Sequence, residues 1–312
     1  MFYHVITKPS RKSAIEKAIE KEGLTITVTA SDSLIIVKVK EHSPEVGKIK
    51  KIIKNFKDGI ISATPVKHFL KVKDVELKEA LRTNKCRFVF DVDSTLTQGN
   101  PGVLHPEIET IFQKMNDKGI RIYLATGRSM PDLVDLIKKY PIEKYSIAEN
   151  GGLILGFPPD NYLEFGNKKE PNKVLNYLQT VYQINEDMAQ GERFTEVIFL
   201  KSDVTRKQID ESISETKAKV SVYESKNSYH IAKEKIDKGS AMLEVGRRIH
   251  WGNTWIIAVG DAEMDIPMFK KANYSYAVGN ASKSAKEAAS EVLSGKFEKG
   301  VQQIYNIIRK VN

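Results

Sequence analysis

The chain of 312 residues is 41% hydrophobic and 29% charged, proportions that exclude general disorder and suit about two or three folded domains. It has no apolar run near the roughly 20 residues of a membrane-spanning helix, and its start lacks the pattern of a secretory signal. With one cysteine, Cys86, we expect no intrachain disulfide and a reducing, cytoplasmic location.

Positive charge is concentrated in the first quarter of the chain. The net charge is +9, and residues 1–85 hold 18 Lys and Arg against 10 Asp and Glu, an excess of +8. Such an excess is typical of a segment that meets an anionic partner, or of a lysine-rich solvated surface. Because the segment has no motif for stacking on bases, the solvated surface is favoured and nucleic-acid binding is the weaker hypothesis.

The first 70 residues predict a small α+β domain. Their hydrophobic patterns indicate strands at 2–8, 24–29, 34–39 and within 60–70, and helices at 11–22 and from residue 44. This order is the split βαβ of ferredoxin-like domains. We predict an N-terminal ferredoxin-like domain over residues 1–83, with residues 73–85 as a charged helix or linker.

From residue 86 onward, strands and helices alternate. The pattern predicts strands at 87–91, 120–126, 145–148, 255–260 and 274–278, and helices at 106–117, 129–139, 239–249, 266–271 and 281–291. This alternation is typical of a Rossmann-like, doubly wound parallel sheet with helices on both faces.

The alternation is interrupted by an inserted α+β module, predicted over residues 157–236. Within it we expect helices at 171–183 and 204–217, and strands at 194–200, 219–223 and 228–232. The core of the catalytic part would then consist of residues 84–156 and 237–312.

Unusual polar residues follow the predicted parallel strands. Asp91 and Asp93 follow the first strand, Thr126 follows the second, and Asp261 and Asp265 follow a later one. Ligands gather at the carboxyl ends of such strands, and carboxylate oxygens without His or Cys favour Mg²⁺. With a lysine nearby, such a site suits a phosphoryl group. Each piece alone is commonly a loop or a helix cap, so the prediction depends on their joint occurrence.

These stretches resemble a known family. Residues 88–97, the turn at 126–128, Lys238 and residues 260–265 are similar to the four motifs of the haloacid dehalogenase (HAD) superfamily of phosphotransferases. The resemblance covers about residues 86–312. The insert resembles the C2 cap of the Cof-type branch, subfamily IIB, and archaeal phosphoglycolate phosphatases are the most similar group.

Two features depart from the family pattern. Met264 replaces the asparagine that usually precedes the last acidic residue of the fourth motif, which removes a donor but keeps the acidic positions. The basic N-terminal segment lies outside the pattern, so its role does not carry over from the family.

The resemblance implies a role for each catalytic residue. Asp91 would attack phosphorus and become an aspartyl phosphate, and Asp93 would act as general acid and base. Thr126 would donate to the phosphoryl group and Lys238 would balance its charge. Mg²⁺ would be held by Asp91, the backbone carbonyl of Asp93, Asp261 and Asp265.

The substrate is less closely defined. Candidate substrate-binding residues are Thr126, Gly127, Lys238, Asn150, Arg193 and His230, with Asn227 and Tyr229 as further candidates in the insert. Arg128 either orients the substrate or forms an ion pair. A small phosphorylated metabolite is expected, with 2-phosphoglycolate as first choice. Alternatives are a phosphosugar phosphatase of the sucrose-phosphate or mannosyl-phosphoglycerate type, a phosphomutase, or a nucleic-acid or protein-binding module acting through residues 1–83. That domain could also serve only to form a homo-oligomer.

Overall fold

The computed structural model of the protein describes residues 2–31, 34–38, 44–58, 60–66, 72–98, 103–157, 161–187, 193–225 and 227–311. The chain forms two compact units, Met1–Glu79 and Ala80–Asn312. The division falls a few residues before the predicted boundary at residue 83. The predicted subdivision of the second unit into a core and the inserted module (residues 157–236) stays a prediction.

The N-terminal unit has the element order expected from the sequence. Its elements are β1 (Phe2–Thr7), α1 (Lys12–Lys21), β2 (Thr25–Ser31), β3 (Leu34–Lys38), α2 (Pro44–Asn55) and β4 (Ile60–Val66), and α3 (Val72–Arg82) follows. The four strands form one antiparallel sheet in the order β2-β3-β1-β4. This is the strand arrangement of the split βαβ.

Two amphipathic helices supply the core of this unit. α1 buries Ile15 and Ile19, and α2 buries Ile49 and Ile52, in both cases on one helical face. They form one cluster with Val5 of β1, and burial of each such side chain stabilises the fold by about 1.5–3 kcal/mol. Exposed side chains on the two helices include Lys17, Lys21, Lys48, Lys50, Lys51 and Lys54. The excess positive charge therefore faces solvent.

The second unit alternates strands and helices. It begins with β5 (Cys86–Phe90), α4 (Pro106–Asp117), β6 (Arg121–Leu124), α5 (Met130–Lys139) and β7 (Ile147–Ala148). Then follow β8 (Leu153–Leu155), β9 (Tyr162–Glu164), α6 (Pro171–Tyr182), β10 (Glu196–Leu200), α7 (Arg206–Thr216), β11 (Val220–Glu224) and β12 (Ser228–Lys233). It ends with α8 (Lys238–Arg248), β13 (Trp255–Gly260), α9 (Ile266–Lys271), β14 (Tyr274–Ala277), α10 (Lys283–Ala288), β15 (Glu291–Val292) and α11 (Glu298–Val311).

A parallel sheet in the order β15-β14-β13-β5-β6 forms the centre of this unit, as predicted. Residues 88–90 of the interior strand β5 are all fully buried, so both faces of the strand are covered. Because neighbouring strands run in the same direction, their carboxyl ends lie at one edge. Asp91, Thr126 and Asp261 therefore follow three adjacent strands at that edge.

The inserted module has its own antiparallel sheet, in the order β10-β12-β11. Its apolar core includes Val174 and Leu178 from α6, Ile209 from α7, and Val197 and Phe199 from β10. The module is thus an α+β layer with its own hydrophobic cluster. No helix among the described residues has the length and apolar composition that crossing a bilayer requires.

The structure differs from the sequence prediction near the C-terminus. The helix predicted at 281–291 ends at Ala288. Ser290 exchanges backbone-to-hydroxyl hydrogen bonds of 3.0 and 3.2 Å with Ser275, and these bonds bring the chain alongside β14. There β15 pairs with β14. The sequence analysis did not predict β8, β9 or α11, although α11 buries Val301, Ile304 and Ile308 on one face.

Candidate active site

Three acidic side chains meet at the carboxyl edge of the parallel sheet. Asp91, Asp261 and Asp265 each offer a carboxylate oxygen, and these atoms lie within 4.8 Å of one another. Lys238, the first residue of α8, donates from Nζ to Asp91 Oδ1 at 2.6 Å and to Asp265 Oδ1 at 2.7 Å. We call these four residues the Asp91 cluster. It brings together the residues that the sequence analysis placed at separate strand ends.

The Asp91 cluster holds more negative than positive charge in a buried place. Asp91 is only 5% exposed and Lys238 only 2%, so water screens their charges poorly. Burial raises the pKa of Asp91 well above its ordinary value, against the effect of Lys238, and the carboxylates of Asp265 and Asp261 raise it further. Burial, and then the charge of Asp265, raise the pKa of Asp261 to about 7.

The pKa of Lys238 is also raised, although burial acts on it in the opposite direction. Burial alone would lower the pKa of its ammonium group, but the carboxylates of Asp265 and Asp91 outweigh burial and raise it. Lys238 is therefore a fixed positive charge rather than a proton donor. It neutralises part of the carboxylate charge and holds Asp91 and Asp265 in one orientation.

Asp265 is fixed by the backbone of the loop after β13. Its Oδ2 accepts hydrogen bonds of 2.9 Å from the N–H groups of Asp261 and Ala262. A Cβ atom on Gly260 would lie 2.4 Å from this oxygen, so only glycine allows the carboxylate to approach so closely. Thr95 adds a hydrogen bond of 3.0 Å to Asp261 Oδ1. The loop thus positions both carboxylates before any ligand arrives.

The donor set of the Asp91 cluster fits a hard divalent cation. The three side chains of the cluster that could hold the ion are carboxylates, and two of them have pKa values raised by burial and then by mutual repulsion. A divalent cation would relieve that repulsion, and oxygen donors of this kind suit Mg²⁺.

The Asp93 carboxylate forms an ion pair with Arg128. The Arg128 side chain donates to both carboxylate oxygens, with Nε–Oδ2 at 2.9 Å and Nη2–Oδ1 at 2.6 Å. Of the two roles considered for Arg128, the structure shows the ion pair. The Asp93 side chain is 50% exposed, so it can exchange protons with a bound molecule or with solvent. Metal binding through its backbone carbonyl stays a prediction.

Thr126 begins the second loop of the site. It is fully buried, and its Oγ1 accepts a hydrogen bond of 3.1 Å from the N–H of Arg128. Its carbonyl accepts a hydrogen bond of 3.0 Å from the N–H of Asn150, and its own N–H donates to Ile147 at 2.9 Å. A hydroxyl that accepts can still donate its hydrogen. The role of Thr126 as a donor to phosphate stays a prediction.

The predicted substrate-binding residues Asn150, Arg193 and His230 meet around a side chain that the sequence analysis missed, Glu196. Arg193 Nη1 donates to Glu196 Oε1 at 3.1 Å, and Asn150 Nδ2 donates to Oε2 at 3.0 Å. His230 Nδ1 lies 3.3 Å from Oε1. We call these four residues the Glu196 cluster. Burial would raise the pKa of Glu196, but His230, Arg193 and Asn150 together lower it.

A second missed acid, Glu149, joins the same region to the inserted module. Its carboxylate accepts hydrogen bonds from the N–H of Phe194 at 3.1 Å and from the N–H and hydroxyl of Thr195 at 2.8 and 2.7 Å. Glu149 and Asn150 both have positive φ, 49° and 52°, which is uncommon for residues other than glycine and marks a constrained turn. Burial, and then the nearby charge of Glu196, raise the pKa of Glu149.

The two remaining candidates in the inserted module lie away from these clusters. Tyr229 belongs to the apolar core of the module, with the Lys201 ammonium 5.1 Å from its ring centre. The carbonyl of Asn227 accepts a hydrogen bond of 2.9 Å from the N–H of Lys201. Both are engaged in holding the module together.

Comparisons with known proteins agree with this geometry. Residues 88–189 and 157–304 match the haloacid dehalogenase-like hydrolase family. A phosphoglycolate phosphatase of Nitrosopumilus maritimus is 30% identical over 217 residues, which cover 70% of this chain and 93% of the relative. This chain belongs to the haloacid dehalogenase-like hydrolase family.

Solved structures of other proteins share the fold. A protein of Thermoplasma acidophilum superposes with a TM-score of 0.63 at 20% identity, over 72% of this chain and 98% of that one. A subclass IIB sugar phosphatase superposes with a TM-score of 0.55 at 16% identity, over 72% and 98% of the two chains. These superpositions show the shared fold, and the family assignment rests on the sequence matches.

Proposed function

We propose that this chain is a Mg²⁺-dependent phosphatase that hydrolyses 2-phosphoglycolate through an aspartyl phosphate on Asp91. The convergence of Asp91, Asp261 and Asp265 around Lys238 carries this proposal, because it sets a nucleophile beside oxygen donors for a cation. The enzyme class, a phosphatase, follows from the family and from its phosphatase relatives.

The proposed reaction has two steps, transfer of the phosphoryl group to Asp91 and its hydrolysis. The Asp91 carboxylate forms a bond to phosphorus while the bond from phosphorus to the leaving oxygen breaks, and Asp93 gives that oxygen a proton. Asp93 then takes a proton from a water whose oxygen attacks phosphorus and releases Asp91. Lys238 and Thr126 hold the reacting groups in place. Mg²⁺, when bound to the acidic residues, supplies positive charge against the phosphoryl oxygens.

The choice of 2-phosphoglycolate is supported by the relatives. The Nitrosopumilus protein and others that match over most of their length are named phosphoglycolate phosphatases. A sugar phosphate is the alternative, because the fold is shared with a subclass IIB sugar phosphatase. A phosphomutase would use the same aspartyl phosphate but return the phosphoryl group to the substrate.

A phosphate-release screen separates these candidates. The full-length protein with Mg²⁺ is offered 2-phosphoglycolate, sucrose 6-phosphate, mannosyl-3-phosphoglycerate and glucose 1-phosphate, with Asp91→Asn as the blank. We expect the highest kcat/KM for 2-phosphoglycolate, and loss of activity in EDTA that added Mg²⁺ restores. Preference for a sugar phosphate would overturn the substrate, an isomerised product without free phosphate would indicate a mutase, and full activity in EDTA would overturn the metal requirement.

The cytoplasmic location and any partner of the N-terminal unit stay predictions. The exposed lysines of α1 and α2 suit either a solvated face or an anionic partner. Binding of the full-length chain to RNA and DNA at several salt concentrations tests the second possibility, since phosphate contacts give a steep loss of affinity with salt.

A further inference from the structure

The Glu196 carboxylate is completely buried and is held from three separate parts of the chain. Arg193 precedes its strand β10, His230 lies on the neighbouring strand β12, and Asn150 comes from the turn after β7. The first two belong to the inserted module, while Asn150 belongs to the turn between β7 and β8, outside the module. Glu196 therefore ties the module to the catalytic edge of the sheet.

Two of these partners also hold the loop that begins at Thr126. Arg193 Nη1 donates to the carbonyl of Gly127 at 2.6 Å, and the N–H of Asn150 donates to the carbonyl of Thr126 at 3.0 Å. A Cβ atom on Gly127 would lie 3.0 Å from Asn150 Oδ1, so the side chain of Asn150 packs directly on this peptide. Successive carbonyls of the loop are thus fixed by residues that Glu196 orients.

The loop at 126–128 carries Thr126, the proposed donor to the phosphoryl oxygen, and Arg128, the ion-pair partner of the proposed general acid Asp93. The N–H of Arg128 donates to Thr126 Oγ1, and the Arg128 side chain donates to the Asp93 carboxylate. A rotation of the peptide between Thr126 and Gly127 would move both. Positioning errors of about 1 Å cost about 100-fold in rate in enzymes generally.

We propose that Glu196 is a positioning residue for phosphoryl transfer, which fixes the loop at 126–128 through Arg193 and Asn150. The proposal rests on the proposed phosphatase function and refines it. Arg193 and Asn150 then hold the protein loop, rather than serving first as ligands of the substrate. Glu196 itself touches neither substrate nor metal.

The kinetic test compares Glu196→Gln with a matched change, Glu224→Gln. Glu224 ends strand β11 of the same small sheet and pairs on the surface with Lys201 and Arg206. For the best substrate of the screen, we expect Glu196→Gln to lower kcat by about 10- to 100-fold with little change in KM, and Glu224→Gln to retain wild-type values. Unchanged kcat in Glu196→Gln would overturn the proposal, as would a rise in KM alone, which would indicate substrate binding.

A double-mutant cycle tests whether Glu196 acts through Arg193. If Glu196 acts through Arg193, the Glu196→Gln change lowers kcat less in the Arg193→Gln variant than in the wild-type protein. Equal losses in both backgrounds would contradict the route through Arg193. If Glu196→Gln does not fold, as its thermal melt would show, Arg193→Lys breaks the same link, and kcat should fall in the same range.

Hydrogen exchange gives a readout that does not depend on activity. In Glu196→Gln, the amides of Arg128 and Asn150 should exchange faster, while those of β5 and β13 keep their protection, and Glu224→Gln should match wild type. Unchanged exchange in the loop would overturn the positioning role even if kcat falls. If the wild-type protein hydrolyses no phosphate ester, the proposed function fails, and the exchange data still decide whether Glu196 fixes the loop.

Discussion

The Asp91 cluster and the Glu196 cluster are both largely buried, yet their charges are balanced differently. The first sets three carboxylates against the single ammonium of Lys238, and the second sets one carboxylate against the guanidinium of Arg193. Burial raises the pKa of all three carboxyls; neighbouring carboxylates add to this rise at Asp91 and Asp261, whereas His230 and Arg193 outweigh it at Glu196 and lower its pKa.

The difference distinguishes a reactive site from its support. Excess negative charge in a buried place is costly unless a cation joins it, so the Asp91 cluster fits the Mg²⁺ and the phosphoryl group of the proposed function. The Glu196 carboxylate is already paired with Arg193 and lies beside His230, so the cluster needs no further cation and suits a structural role. Charge balance among buried residues thus indicates which of two polar clusters does the chemistry.

The largest effect is expected for Asp91→Asn. This change removes the nucleophile, so turnover of 2-phosphoglycolate should fall by about 1,000-fold or more, measured as phosphate release with Mg²⁺. The fold should persist, because Lys238 keeps its contact with Asp265 and the cluster loses a poorly compensated charge. A thermal melt serves as the control. Substantial hydrolysis by a correctly folded variant would remove Asp91 from its role.

Two glycine substitutions compare how tightly each cluster is packed. In Gly260→Ala the new Cβ would lie 2.4 Å from the buried Asp265 carboxylate, which has no room to withdraw, so kcat should fall about 100-fold and stability by about 1–3 kcal/mol. In Gly127→Ala it would meet Asn150 at 3.0 Å, a contact that a small shift can relieve. We expect a loss of at most about 10-fold there. Steady-state kinetics and urea unfolding measure both, and equal losses would contradict the comparison.

The Asp91 cluster could be predicted from the sequence, and the Glu196 cluster could not. Asp91, Thr126 and Asp261 each follow a strand, and parallel strands bring their ends to one edge by necessity. Glu196, by contrast, stands within a strand, where a charged residue ordinarily faces solvent. Its burial depends on Asn150, 46 positions away in the sequence, which no local pattern reveals.

The errors in the predicted secondary structure have two different causes. Helices with a clear apolar face were placed closely, as with Pro106–Asp117. The helix predicted at 281–291 was too long, because the hydrogen bonds between Ser290 and Ser275 are tertiary and have no local signal. α11 was missed for a different reason: Val301, Ile304 and Ile308 have helical spacing, so its signal was present in the sequence.

Mg²⁺ should stabilise the folded protein through the Asp91 cluster alone. At a concentration about 100 times its dissociation constant, a ligand that binds only the folded state adds about 2.7 kcal/mol, which raises the melting temperature in the absence of substrate. We expect Asp261→Asn to lose most of this shift and Glu196→Gln to keep it, because only the first removes a donor oxygen. An equal loss in both variants would contradict the separation of the two clusters.

The smallest effect concerns acid stability, and it depends on the lowered pKa of Glu196. The unfolded chain takes up a proton on this residue near its ordinary pKa of about 4.3, whereas the folded chain takes it up only at lower pH. The stability that Glu196 contributes is therefore complete above that pH and is lost as pH falls through the folded pKa.

In chelator, the difference in unfolding free energy between wild type and Glu196→Gln should be constant from pH 7 to about 5 and then shrink toward pH 3. Titration of the Asp91 cluster cancels in this difference, since both proteins contain it, and a Glu149→Gln background in both proteins removes the titration of the neighbouring carboxylate whose pKa Glu196 raises. Urea unfolding across this range provides the measurement, and a difference that stays constant down to pH 3 would show that Glu196 is not held in its charged form by Arg193 and His230.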